Sequence, residues 1–309
     1  MVREMRPRLL VTSALSIATL ALACDRLTAR GGGGGSPSAE NDTSNAAAPQ
    51  SPATPGAPAP APATPAAASP GGNVIGVAGI AAWTALPAAD KAKLKITPSI
   101  YLHQSVGQDL EDGAEENGFK FTYYGPGATS VDPGLNGGLF NDVGPIDNGK
   151  PMEKLALVLK LAKLHRGTLK VIGFSFGYAD VRDEDLTRVE AEYVRVAKEV
   201  RATGVRLFHV TPPLVFDVKE NPPKMKMRTW MLATFAGEPI FDLQDIESQD
   251  NGKRCEVGGV WQICPANRST TACSSKSQGV DNEGQGHLCS KKAAVIARAL
   301  LLTLSRAGG

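Results

Sequence analysis

Residues 25 to about 75 form a long stretch that can bury almost nothing. They run through Gly31 to Gly35 and a polar patch into repeated Pro-Ala-Thr units that end at Pro70-Gly71-Gly72. Apolar surface is too scarce there to offset the entropy of ordering, and the prolines bring no amide donors. Folding is therefore confined to the residues beyond it, and the stretch reads as a spacer. About 50 such residues span roughly 40 Å as a flexible coil, and up to about 150 Å as a polyproline helix.

Ahead of the spacer, Arg3, Arg6 and Arg8 precede an apolar run from Leu9 to Ala23. Thr12, Ser13, Ser16 and Thr19 interrupt that run, which suits an export signal better than a membrane span. It ends in Leu20-Ala21-Leu22-Ala23-Cys24. Small residues before a cysteine resemble a bacterial lipobox, in which the peptide is cut before the Cys and the thiol is diacylated; Ala21 stands where leucine is usual. Cleavage at the same place with Cys24 left as a free thiol is the other reading. The expected organisation is a signal peptide at 1–23, a disordered tether at 24–75 with Cys24 as candidate lipid anchor, and one α/β domain at 76–309.

Charge and cysteine usage narrow the class. The chain holds 33 basic and 31 acidic residues, and residues 1–23 take three Arg and one Glu of these, so the remainder is balanced. No basic stripe points to nucleic acid, and the only membrane contact expected is through the lipid anchor. Besides Cys24 there are four cysteines, all late: Cys255, Cys264, Cys273 and Cys289. An even number in a loop-rich part of an exported chain reads as two disulfides. Three pairings exist, and Cys255–Cys264 with Cys273–Cys289 is preferred. The spacings lack a Cys-x-x-Cys pair and only His287 lies nearby, so a zinc site is disfavoured and no metal or cofactor is expected.

From Asn73 onward strand-like and helix-like segments alternate. Strands are predicted around Lys95–Leu102, Phe119–Tyr124, Leu169–Phe176, Val205–Val210 and Pro239–Leu243. Helices are predicted at Gln108–Glu116, from Pro151 to a stop at Gly167, from Asp183 to Gly204, at Met225–Phe235, and from Lys291 to Ser305 with Ser290 as cap. Such alternation predicts a three-layer α/β/α sandwich around a mainly parallel sheet of flavodoxin-like type. In that architecture ligands gather at the carboxyl ends of the strands.

The residues at those ends have a hydrolase pattern. His103-Gln104-Ser105-Val106-Gly107 follows the first predicted strand, and glycine-rich turns, Gly125-Pro126-Gly127 and Asn136-Gly137-Gly138, follow the second. Gly177-Tyr178-Ala179-Asp180 follows the third, Thr211-Pro212-Pro213 the fourth, and Asp281 to Leu288 precedes the last helix. A serine needs an imidazole to take its proton, the imidazole needs an acceptor to hold its tautomer, and the oxyanion needs amide donors. The acidic run Asp109, Glu111, Asp112, Glu115, Glu116 lacks a calcium-loop pattern and reads as a solvated helix face. His209 reads as a core histidine and His165 as a helix-dipole partner. His103 reads equally as a site residue or a structural histidine, and Asp180 as lining the site or capping the next helix.

Over residues 95 to 305 the chain resembles the SGNH/GDSL hydrolase family, in a bacterial branch where His-Gln-Ser-Val-Gly replaces the Gly-Asp-Ser block. The resemblance rests on residues 103–107, on Gly177-Tyr178-Ala179-Asp180 in the place of Gly-x-Asn-Asp, on Phe208 to Leu214, and on Gly286-His287-Leu288. It implies Ser105 as nucleophile, with its amide in the oxyanion hole, and His287 as base. Two positions depart from the family. Ala179 replaces the oxyanion Asn, leaving Asn136, Gly127, Gly138, His103, Gln104, Tyr178 and Asp180 as candidates to line the site. Gly284 replaces the acid three before the histidine, leaving Asp281 or Glu283 to support it. The implied function is an extracytoplasmic serine esterase acting on O-acyl esters of glycans or small molecules. The alternative is an inactive surface lipoprotein that binds a glycan or a protein.

Overall fold

The computed structural model describes residues 72–281 and 285–309. The expected signal peptide, Cys24, nearly all of the expected tether, Glu283 and Gly284 lie outside the described residues.

Seven parallel strands form the central sheet: β1 (Val74–Ile75), β2 (Ser99–His103), β3 (Thr122–Tyr123), β4 (Leu135–Leu139), β5 (Val171–Phe174), β6 (Arg206–Val210) and β7 (Ile240–Phe241). Their order is β1-β7-β6-β5-β2-β4-β3. From β2 the chain crosses to β4 on one side, then returns to β5 on the other. The carboxyl ends of β2 and β5 therefore flank the point where winding reverses, which is where open α/β sheets form a crevice.

Helices cover both faces. α1 (Val77–Ala85), α3 (Val106–Glu116) and α9 (Ser290–Gly308) pack together on one; α5 (Pro151–Leu164), α6 (Leu186–Ala202) and α7 (Asn221–Thr234) cover the other. Shorter helices are α2 (Ala88–Lys93), α4 (Phe140–Val143) and α8 (Leu243–Glu247). The two cores arise from alternation along the strands. In β2, Tyr101 joins Leu110, Leu300 and Leu301, whereas Ile100 and Leu102 join Leu155, Val158 and Ile172. Each such side chain taken from water contributes about 1.5–3 kcal/mol. In α6 the inward positions Val189, Tyr193, Val196 and Val200 are all buried, as their spacing of three and four requires.

Ser290 does not cap α9 but opens it, with Cys289 in the cap position, and two further expectations need correction. Leu135-Asn136-Gly137-Gly138-Leu139 is not a turn but strand β4, in register with all of β2. Its glycines are set by close neighbours: a Cβ on Gly137 would collide with the Glu111 carboxylate, and one on Gly138 with the Tyr124 carbonyl. Asp183 does not cap α6; Asp185 holds the cap position, and Asp183 pairs with Lys226 at 2.6 Å.

Residues 249–281 and 285–289 have little regular structure beyond two short antiparallel ladders, β8–β9 (Gln249–Asp250, Lys253–Arg254) and β10–β11 (Glu256–Val257, Val260–Trp261), the second of which packs on α7. Disulfides Cys255–Cys264 and Cys273–Cys289 tie this arm, the pairing preferred from sequence. Such bonds belong to a chain that folds in an oxidising, extracytoplasmic environment. Among the described residues no helix is long and apolar enough to cross a membrane.

Candidate active site

β2 runs into α3 through Ser105, whose backbone adopts φ +53° and ψ −106°. A side chain in that region costs about 1–3 kcal/mol and persists only when its surroundings enforce it. The surroundings are specific. His103, buried at the end of β2, points its Nε2 at Glu111 Oε1, 2.8 Å away. A Cβ on Gly107 would collide with His103 Cβ and Cγ, so the glycine lets the first turn of α3 close over that ring. Gln104 donates to the Ile146 carbonyl at 3.1 Å and accepts from Lys154 Nζ. With both preceding residues pinned, the turn is sharp and Ser105 is presented at its apex, the geometry of a strand–nucleophile–helix elbow.

His287 meets it from the arm. Ser105 Oγ lies 3.2 Å from His287 Nε2 and 3.5 Å from Nδ1. His287 Nδ1 is 3.4 Å from Asp109 Oδ2. These separations are at the long end of hydrogen bonding, as catalytic contacts often are before substrate tightens them. An Nδ1–H donated to Asp109 leaves the Nε2 lone pair free to accept from the hydroxyl.

Asp109 is the carboxylate that faces His287, and the solvated-face reading of the acidic run fails for it. It is 1 % exposed. Besides His287 it accepts from the Leu288 backbone N–H at 2.9 Å and from the Ser275 hydroxyl. It lies four residues after Ser105, one helical turn on, so both project from the same side of α3's first turn. Ser-x-x-x-Asp at the strand–helix junction was the signal available in the sequence.

Asp281 does other work. Its carboxylate binds Arg268 Nε at 2.8 Å and accepts the Gln285 and Gly286 N–H groups at 3.1 and 2.7 Å. Burial raises its pKa, but the guanidinium and the two amides outweigh it and hold the carboxyl below the usual range. Asp281 thus fixes the backbone that carries His287 instead of touching the ring.

The remaining candidates divide. Tyr178 stands edge-on to His287, ring centres 6.0 Å apart at 87°. Burial first, then the charges of Glu247, Asp109 and Asp281, push its pKa well up, so it stays a neutral phenol. The Ser105 side chain is near enough to oppose this, yet the buried hydroxyl makes no hydrogen bond of ordinary geometry. Asp180 is buried and neither lines the site nor caps α6; it accepts from Gly149, Lys150 and Gly177 N–H and from Lys154 Nζ. Asn136 is buried in β4, its amide spent on the Ser99 and Asp132 carbonyls at 3.0 and 2.9 Å, so it is no oxyanion donor. Gly138 lies inside β4 opposite Leu102, and Gly127 sits left-handed in the turn after edge strand β3. Among the described residues no cluster of His, Cys, Asp and Glu could hold a metal ion.

Two histidines are core members. His209 stacks on Phe235 at 4.1 Å and bonds the Tyr193 hydroxyl at 3.0 Å. His165 bonds the Tyr124 hydroxyl at 2.6 Å. Burial lowers the pKa of both, so His165 is a neutral phenol partner and not a charged helix cap.

No protein-family model matches the chain, and no curated protein is significantly similar to it.

Proposed function

We propose that this chain is an exported serine esterase of SGNH type that hydrolyses O-acyl esters on glycans or small molecules. The observation that carries the reading is the line Ser105–His287–Asp109 built on a strained elbow at the sheet's switch point. Ser105 Oγ attacks the ester carbonyl as its proton passes to His287 Nε2. Asp109 stabilises the imidazolium so formed. The tetrahedral oxyanion collapses, the alcohol leaves with the proton from His287, and an acyl-serine remains. His287 then takes a proton from water, whose oxygen attacks the acyl carbonyl, and returns it to Ser105 as the acid departs.

The export-signal pattern, the lipobox-like Cys24 and the disulfides support a location at the cell envelope, with the domain held off the membrane by its spacer. Changing Cys24→Ser is expected to release the protein from membranes; retention would refute lipidation there. One observation favours the binding alternative, namely Ala179 in place of the family's oxyanion Asn.

The test of the activity is direct. The purified protein is incubated with a fluorophosphonate probe and short-chain aryl esters beside Ser105→Ala and His287→Ala. Labelling and turnover that both variants lose support the esterase; equally negligible activity in all three ends it and leaves the binding module.

A further inference from the structure

Beside the Ser105 backbone amide, the site the resemblance implies has a side-chain amide donor where the oxyanion forms, and the methyl of Ala179 cannot supply one. The loop after β4 and α4 brings another side-chain amide, that of Asn148, against the turn that carries Ala179. Gly149 and Lys150 donate their N–H groups to Asp180 Oδ1 at 2.7 and 3.2 Å, while Gly177 N–H and Lys154 Nζ occupy Oδ2, each at 2.5 Å. One buried carboxylate thus clamps the 148–150 loop to the turn that carries Ala179. Asn148 fills the space this creates: a Cβ on Gly177 would collide with its Oδ1.

The orientation of that amide is set from the buried side. Lys154 Nζ, which also binds Gln104 beside the nucleophile, lies 3.5 Å from Asn148 Oδ1. An ammonium only donates, so it selects the oxygen and turns Nδ2 away. Asn148 is exposed, and its Nδ2 makes no hydrogen bond among the described residues.

We infer that Asn148 Nδ2 is the side-chain oxyanion donor of this site, supplied by the β4–α5 loop in place of the residue lost at Ala179. The inference rests on the serine-esterase reading. Lys154 and Asp180 are then positioning residues that aim the amide.

The experiment measures steady-state hydrolysis of 4-nitrophenyl acetate and the rate of fluorophosphonate labelling in the whole protein, with Asn148→Ala and the isosteric Asn148→Asp. Both variants should lower kcat about 10²–10³-fold, the cost of removing one oxyanion donor, and slow labelling in parallel. KM and thermal midpoint should stay close to those of the parent. In the phosphonylated protein the phosphoryl oxygen should lie about 2.7–3.1 Å from Nδ2. A kcat within threefold of the parent for Asn148→Ala, in a protein that Ser105→Ala silences, overturns the inference and leaves the esterase standing. A parent that neither turns over nor labels overturns both. Should Asn148→Ala unfold, the isosteric variant decides by the same measures.

Discussion

The two halves of the candidate site are held in different ways. Ser105 stands at the end of a strand in the core: β2 is buried along its whole length, and the elbow is fixed by His103–Glu111 on one side and Gln104–Lys154–Asp180 on the other. His287 stands on an arm of short ladders and turns, held by two disulfides and by carboxylates that bind its backbone. Packing and buried charge support Ser105, while covalent closure and amide–carboxylate bonds support His287. Asp109 belongs to both, rooted in α3 and bonded to the arm. A strained backbone needs dense surroundings, whereas a side chain that only has to reach a fixed point can be carried by a tied loop.

The sharpest break in this comparison is at Asp109. Asp109→Asn should keep the contact in shape but lose the tautomer control, lowering kcat/KM about 10⁴-fold, as measured with an aryl ester. A loss under tenfold would mean that His287 is held by the arm alone. Next comes the disulfide beside His287. Replacing Cys273 and Cys289 with serine should cost about 2–5 kcal/mol in denaturant unfolding and lower activity more than the same change at Cys255 and Cys264. Equal activity losses from the two pairs would remove the special place of the bond nearest the histidine.

The elbow can be probed from its own side with Gly107→Ala. The added methyl meets His103, so a loss of about 1–3 kcal/mol together with slower fluorophosphonate labelling is expected. Unchanged labelling would show that His103 yields without disturbing Ser105.

The smallest effect separates the halves by pH. His209 and His165 are buried with pKa values below the ordinary 6.5, so below about pH 6.5 the unfolded chain binds protons that the fold resists. Stability of the sheet-and-helix part should therefore fall as pH drops from about 6.5, and His209→Gln should flatten that slope in thermal melts. Asp281 has a lowered carboxyl pKa, so its contribution is full above its unfolded value of 3.8 and is lost only as pH falls below that. The arm should accordingly weaken at more acid pH than the core, and hydrogen exchange resolves the two. Simultaneous loss would contradict the assignment.

Features that depend on near neighbours in the chain were legible in the residues. The amphipathic stripe of α6, the Pro start of α5, the strand–helix alternation and the disulfide pairing each rest on spacings within a turn, a strand or a short loop. His103 to Gly107 and Gly286 to Leu288 drew attention to the two side chains that the structure brings to 3.2 Å. Strand β4 escaped because its glycines answer to Glu111 and Tyr124, which reach it only after folding.

Sequence by itself determined the periodic elements, because apolar period acts locally. The Ser-x-x-x-Asp spacing made Asp109 one candidate among several, and tertiary structure decided which carboxylate faces His287. Asp109 and Asp281 are equally acidic on paper, but only the packing of α3 against α9 and the arm buries one beside the imidazole and gives the other to Arg268. The same is true of Asn148, whose neighbour Gly177 is distant in the chain and close only through the carboxylate of Asp180.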